Sequence, residues 1–307
     1  MAQSFTASRM WNRIHDLWGE EAAADLSDFK SDTRNYKISL WDPRVNGVRY
    51  LKALIYNYGT QLGPDDWARI RKIENRETGN PVSVRINGEM LCMDYLQGVL
   101  ELGFIEKEVD LRGGSVMEIG AGYGRTCHTI MSNHDLAAYY IVDLEKTLQL
   151  SRKYLGLVLP PEQFEKITFV RADDSVESVY SAIGAAHFDL CINVHSMAEM
   201  PEETVRAYLE LIDTKCSAFF VKNPVGKFLD KNLDGHPEGQ EAVDLALEAG
   251  PLRQVLDIYD SEAVDAAVPG YITTYTPGDG WTCVADGRGL PWSYFWQVIY
   301  KNERTGR

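Results

Sequence analysis

Ser115-Val-Met-Glu118-Ile-Gly120-Ala-Gly122-Tyr123-Gly124 constrains the fold more than any other stretch of this 307-residue chain. A short apolar run ends in an acidic residue, passes into a glycine-rich turn and meets a predicted helix starting near Arg125. Glycine lacks a Cβ and accepts positive φ, so such a turn lets backbone come close to a ligand. The helix N-terminus behind it presents unpaired N–H groups, which suit a phosphate or a carboxylate. The spacing is Gly-x-Gly-x-Gly, not the Gly-x-Gly-x-x-Gly of dinucleotide sites, and no Lys-Ser/Thr pair follows as in a Walker loop. Alone, the pattern also fits a tight strand-to-helix turn with no ligand.

Three further apolar runs repeat the arrangement. Tyr139-Tyr-Ile-Val-Asp143 ends in a carboxylate about 20 residues past the glycines, where an acid accepts ribose hydroxyls in nucleotide-binding α/β folds. Lys166 to Ala172 leads into Asp173-Asp174, and Asp173 can accept an adenine amine. Phe188 to Val194 carries Asn193 and opens into His195-Ser-Met-Ala-Glu199. Ligands of open α/β sheets bind at the carboxyl ends of the strands. Four strands with polar residues at one edge therefore predict an S-adenosylmethionine site, with Glu118, Gly120, Gly122, Tyr123, Asp143, Leu144, Asp173 and Asn193 as expected contacts. A catalytically silent scaffold is the competing class, and nothing about folding alone requires those acids together.

Composition narrows the partners. A net charge of -14 disfavours nucleic acid, whose phosphates need clustered Lys and Arg. No apolar run approaches the roughly 20 residues of a membrane helix, and Met1-Ala-Gln-Ser-Phe-Thr lacks signal-peptide features. Five cysteines are scattered without metal-ligand spacing, which predicts a reduced, cytoplasmic enzyme with neither disulfides nor a metal. Residues 1–113 read as a mostly helical cap, with Trp11, Ile14, Leu17 and Trp18 at helical spacing. Its aromatics read mainly as core, or as a homodimer face, with Tyr95 and Trp41 the two candidates for ligand contact.

Residues 114–307 alternate strand and helix, predicting a parallel sheet covered on both faces. Ser217 to Asn223 is the expected fifth strand, and Gln254–Tyr259 and Tyr294–Tyr300 the last two. Pro269 to Pro291 reads as a long loop over the active site.

The order of elements resembles the class I S-adenosylmethionine-dependent methyltransferases, a Rossmann-like seven-stranded sheet with an antiparallel last strand. More narrowly, the chain resembles the sugar O-methyltransferase family of bacterial secondary-metabolite clusters, along nearly its whole length. The resemblance rests on Met117-Glu-Ile-Gly-Ala-Gly-Tyr-Gly-Arg-Thr126, Ile192-Asn-Val-His-Ser-Met-Ala-Glu-Met200, Val221-Lys-Asn-Pro-Val-Gly-Lys227 and Tyr36-Lys-Ile-Ser-Leu-Trp-Asp-Pro43. It implies methyl transfer to a small polar acceptor. Azetidine-2-carboxylate synthases are also similar, which implies as an alternative that the cofactor's methionine chain closes on itself and releases methylthioadenosine.

Alkylating a hydroxyl calls for a base, and histidine titrates near neutrality. His195 is the candidate, with Glu199 to orient or replace it; the plainer readings are a ligand hydrogen bond for His195 and a helix cap for Glu199. Tyr95, Tyr139 and Asn223 are the expected substrate-pocket residues, with Lys222 and the 271–281 segment beside them. Asp173-Asp174 is a weak magnesium candidate. His128 and His134 are expected on a helix surface.

Overall fold

A computed structural model describes residues 8–18, 30, 33, 41–172, 175–227 and 240–305. Helices α1 (Arg9–Trp18), α2 (Pro43–Gly59) and α3 (Pro64–Lys72) come first. A hairpin of β1 (Ser83–Ile86) and β2 (Glu89–Cys92) and helix α4 (Met93–Ile105) follow. The hairpin corrects the helical reading of this segment. Asn87 and Gly88 have φ of 52° and 87°, the left-handed pair that a two-residue strand connection demands and that Asn-Gly supplies.

Strand and helix then alternate: β3 (Ser115–Ile119), α5 (Arg125–Asn133), β4 (Ala138–Asp143), α6 (Glu145–Val158), α7 (Pro161–Phe164), β5 (Ile167–Arg171), α8 (Val176–Ile183) and β6 (Leu190–Val194). A 3₁₀ turn (Ser196–Glu199), α9 (Glu202–Lys215), β7 (Ala218–Pro224), α10 (Gln240–Glu248), α11 (Ser261–Thr274), β8 (Trp281–Arg288) and β9 (Phe295–Asn302) complete the order. Seven strands form one sheet ordered β5-β4-β3-β6-β7-β9-β8. β3 to β7 run parallel, and β9 is antiparallel to both of its neighbours. The α/β sheet with an antiparallel last strand is thus as the sequence predicts.

Alternation along each strand sends successive side chains to opposite faces. Met117, Cys191, Phe219 and Val221 pack under α8, α9 and α11. Val116, Ile141, Ile192 and Phe220 pack under α4, α5 and α6. A third cluster, including Ile55, Trp67, Ile70, Leu91 and Leu96, lies among α2, α3, α4 and the hairpin. Helix α4 ties the two regions together, since Leu102 and Ile105 belong to the sheet core. Among the described residues no helix is long and apolar enough to cross a membrane.

Two expectations fail near the C-terminus. Gln254–Tyr259 contributes one isolated bridge, Lys227 to Val255, and no strand. The sixth strand in sequence is instead β8, inside the segment read as a loop, and α11 precedes it with Pro269 in its interior. Proline normally interrupts a helix by removing an N–H and crowding the preceding turn, which made 269 look like a break.

Gly98 marks the closest approach of α4 to α5: a Cβ there would lie 2.6 Å from Thr129 Oγ1. Gly98→Val should lower stability by about 1–3 kcal/mol through overpacking, despite better helix propensity. Urea unfolding checks this; an unchanged midpoint would mean the two helices separate freely.

Candidate functional site

Strand order reverses between β3 and β6, so the chain leaves these neighbours in opposite directions and a crevice opens past their carboxyl ends. A cleft of about 700 Å³ occupies that place, bordered by Glu118, Gly120–Tyr123, Arg125, Asp143, Leu144 and residues 194–196 and 199–201. Gly120 and Gly122 both adopt positive φ, at 72° and 59°. Their reasons differ. A Cβ on Gly120 would collide with Ser196 Oγ at 2.0 Å, whereas one on Gly122 would meet no atom within 4 Å. Gly120 thus lets β3 and the segment after β6 close on each other, and Gly122 leaves backbone bare to the cleft. Helix α5 begins immediately beyond, and its first residues, Arg125 and Thr126, line the same space.

Asp143 ends β4 beside this turn. Its carboxylate accepts from the Gly122 N–H (3.1 Å) and the Leu144 N–H (2.7 Å). Burial raises its pKa and those two N–H groups oppose the rise. Glu118 forms the floor, 2% exposed, and accepts from the Tyr139 hydroxyl at 2.7 Å. Burial pushes its carboxyl up to about 7, against the lowering effects of Tyr139 and Arg125.

His195 stands on the rim with φ 76°, a region costly for a residue with a Cβ. Its N–H donates to the Lys222 carbonyl at 2.8 Å, and its ring lies 4.4 Å from that of Phe295. Nδ1 is 3.9 Å from Glu199 Oε1, and both side chains are open to solvent at 52% and 76%. That separation is an ion-pair distance rather than a hydrogen bond.

The remaining anticipated residues divide between the cleft and the core. Tyr123 lines the cleft, and its hydroxyl donates to Asp94 at 3.1 Å. Asn193 is fully buried behind the cleft, its amide donating to the Ile119 carbonyl (3.0 Å) and to Ser196 Oγ (2.6 Å). Asn223 donates to Asn193 Oδ1 at 2.8 Å, so this pair braces the strand ends. Tyr139 stands beneath Glu118. Tyr95 is buried among His128 (2.6 Å) and Tyr154 (2.5 Å), away from the cleft lining. His128 is therefore a core residue, with its pKa lowered to about 4 by burial, and His134 pairs with Glu106 at 2.6 Å. Tyr271 is also buried, accepting from the Asn223 N–H at 2.9 Å, which removes the 271–281 segment as a pocket wall there. Asp173 and Asp174 lie outside the described residues.

Three functional candidates were not anticipated. Arg125 and Tyr208 line the cleft, and Glu101 on α4 receives Arg125 Nη1 at 2.5 Å. Glu101 stands out in an otherwise apolar helical stretch, the one signal that marked it in advance.

Fold and site define an open, doubly wound α/β protein with its crevice at the switch point. No protein-family model matches the chain, and no curated protein matches it. Among solved structures it is similar to the mitomycin 7-O-methyltransferase MmcR, at 13% identity over 68% of this chain and 56% of that one, with a TM-score of 0.41. It thus spans little more than half of that protein. It is also similar to the glycopeptide N-methyltransferase MtfA bound to S-adenosylmethionine (16% identity, 67% and 93% coverage, TM-score 0.42). A third is the magnesium protoporphyrin IX methyltransferase ChlM of Synechocystis PCC 6803 with S-adenosylhomocysteine (14%, 78% and 93%, TM-score 0.43). At these identities the likeness concerns fold alone.

Glu118 yields a signed prediction. Between its ordinary 4.5 and about 7, the unfolded chain releases the proton and the fold retains it, so stability falls as pH rises through that window. Glu118→Gln should raise unfolding free energy by roughly 3 kcal/mol at pH 8 and by little at pH 4. Denaturant titrations at the two pH values check it; equal effects at both would contradict the assignment.

Proposed function

We propose that the chain is an S-adenosylmethionine-dependent transferase of small-molecule metabolism that methylates a hydroxyl of a sugar or another small polar acceptor. The observation that carries this reading is the meeting of a glycine turn, a buried carboxyl and a strand-end aspartate around one cleft, with His195 and Glu199 on its rim.

The residues present fit such a cofactor. Gly122 leaves backbone open to the cleft, and Asp143 offers two carboxylate oxygens suited to a vicinal diol. Glu118 can meet an α-ammonium, and Arg125 with the first N–H groups of α5 an α-carboxylate. Leu144, Ala172, Met200 and Tyr208 give apolar surface for a base. When bound, the cofactor supplies a methyl carbon made electrophilic by its sulfonium.

The chain's own work is to orient and to move a proton. His195 Nδ1 faces Glu199, which leaves Nε2 to accept the hydroxyl proton as the oxygen becomes nucleophilic. Glu199 then steadies the imidazolium that results. Alignment of the reacting atoms does most of the remainder, because enforced proximity replaces a bimolecular encounter.

Incubation of the pure protein with cofactor and hydroxylated acceptors should release S-adenosylhomocysteine only when an acceptor is present. Methylthioadenosine formed from the cofactor alone would instead select ring closure to azetidine-2-carboxylate. Asp143→Ala should weaken cofactor binding at least about tenfold, the loss of a charge-assisted pair of hydrogen bonds; unchanged affinity by calorimetry would remove the ribose assignment. His195→Gln should cut turnover about 10²- to 10⁴-fold with cofactor affinity retained. Near-normal turnover would end the base proposal.

A further inference from the structure

A second cavity of about 600 Å³ lies between α3, α4 and the β8–β9 hairpin. It shares no lining residue with the cleft, yet one ion cluster borders both. Glu101 Oε2 is 2.5 Å from Arg125 Nη1, on the cleft side, and Glu101 Oε1 is 2.8 Å from Lys222 Nζ, on the cavity side. Glu101 and Lys222 are each 2% exposed.

The charges in this cluster do not balance. Among the described residues Glu101 is the sole carboxylate within ion-pair distance of either cation, so two fixed positive charges share one negative charge. On the cleft side Arg125 also has Glu118 nearby. No second carboxylate answers Lys222. Its ammonium donates one hydrogen to Glu101 and one to the Leu290 carbonyl, both at 2.8 Å, and the third has no acceptor among the described residues. Burial depresses the Lys222 pKa, while Glu101 opposes that effect. Unmatched charge in a low-dielectric interior is expensive, and this chain is acidic overall, so a positive cavity end calls for a reason. Toward α3, Arg69 holds Asp66 and Glu106 at 2.8 and 2.5 Å, and Asp65 and Lys107 add one charge of each sign to the lining. Arg288 adds a second cation at the mouth, paired on its outer side with Asp265.

We infer that this cavity is a second small-molecule site, taking an anionic group, a carboxylate or a phosphate on a polar molecule, against Lys222 with Arg288 at its mouth. Glu101 couples its occupancy to the neighbouring cleft, because one carboxylate holds a residue of each. An anion beside Lys222 completes the missing charge and frees Glu101 to bind Arg125 more fully. The cavity stands independently of what the cleft binds, since the protein alone suffices to test it.

Calorimetric titration of malonate and, separately, inorganic phosphate into the intact protein at low salt should show saturable one-to-one binding of at least one. The tighter of the two identifies the group. Lys222→Met should weaken that binding at least about tenfold, the loss expected when one partner of a charge pair is removed. It should leave the melting temperature equal or higher, because Arg125 and Glu101 then form a matched pair. Arg288→Gln, at the exposed mouth, should weaken it about three- to tenfold with the melting temperature unchanged. Saturating probe should shift affinity for S-adenosylhomocysteine at least about fivefold in the wild type and not in Lys222→Met. Absence of saturable binding by both probes overturns the site, as does wild-type probe affinity in both variants. A wild-type affinity for S-adenosylhomocysteine that the probe leaves unmoved overturns the coupling.

Discussion

The reversal of strand order between β3 and β6 is the constraint on which the rest of the molecule depends. β4 and β5 extend the sheet on one side of β3, while β6 and β7 extend it on the other. Successive crossovers therefore depart in opposite directions, leaving a gap at the carboxyl edge that no helix fills. Two backbone irregularities shape that gap from its two sides, the left-handed glycine at 120 and the left-handed histidine at 195. They are neighbours in space, because the space a Cβ at 120 would need is taken by Ser196. The Asn193–Asn223 pair behind them holds the strand ends in register. The cleft is thus a consequence of topology, and its lining follows from which residues stand at the strand ends.

Buried charge is the second organising theme, and it works against stability. Glu118 has no cation within ion-pair distance among the described residues, and its proton is held well into the neutral range. Burial works to raise the Glu101 carboxyl, and Arg125 and Lys222 outweigh it. Well-packed apolar side chains often replace such groups at no loss or a gain. Both stand beside a cavity, Glu118 at the cleft and Glu101 at the partition between it and the second cavity. Helix α4, which begins outside the sheet region, carries Glu101 to the partition.

Much of this architecture was legible from the residues. β3 to β7 are largely apolar runs because both of their faces are covered, and Glu118, Asp143 and Asn193 stand at or next to the carboxyl ends of β3, β4 and β6. The hairpin was legible too, since Asn87-Gly88 directly after Val84-Arg-Ile86 is a strong turn signal, yet the surrounding helical periodicity masked it. β8 was hidden for a different reason. As an edge strand it buries Trp281 alone of its eight residues, and the proline inside α11 imitated a loop. The buried ionic and aromatic networks could not be read at all. Lys222 lies 121 residues from Glu101 and Tyr95 lies 33 from His128, so local pattern set Lys222 beside a substrate pocket and His128 on the surface. Only the packing of α4 on α5 and on the sheet brings these partners together.

The central claim is that an adenosyl sulfonium cofactor occupies the switch-point cleft. Hydrogen–deuterium exchange with and without S-adenosylhomocysteine tests it most directly, because backbone N–H groups of the glycine turn and the strand ends form the cradle. Bound ligand should slow exchange in residues 118–126, 143–147 and 194–200 and nowhere else. Unchanged exchange in those three segments, or protection appearing only elsewhere in the chain, would contradict it.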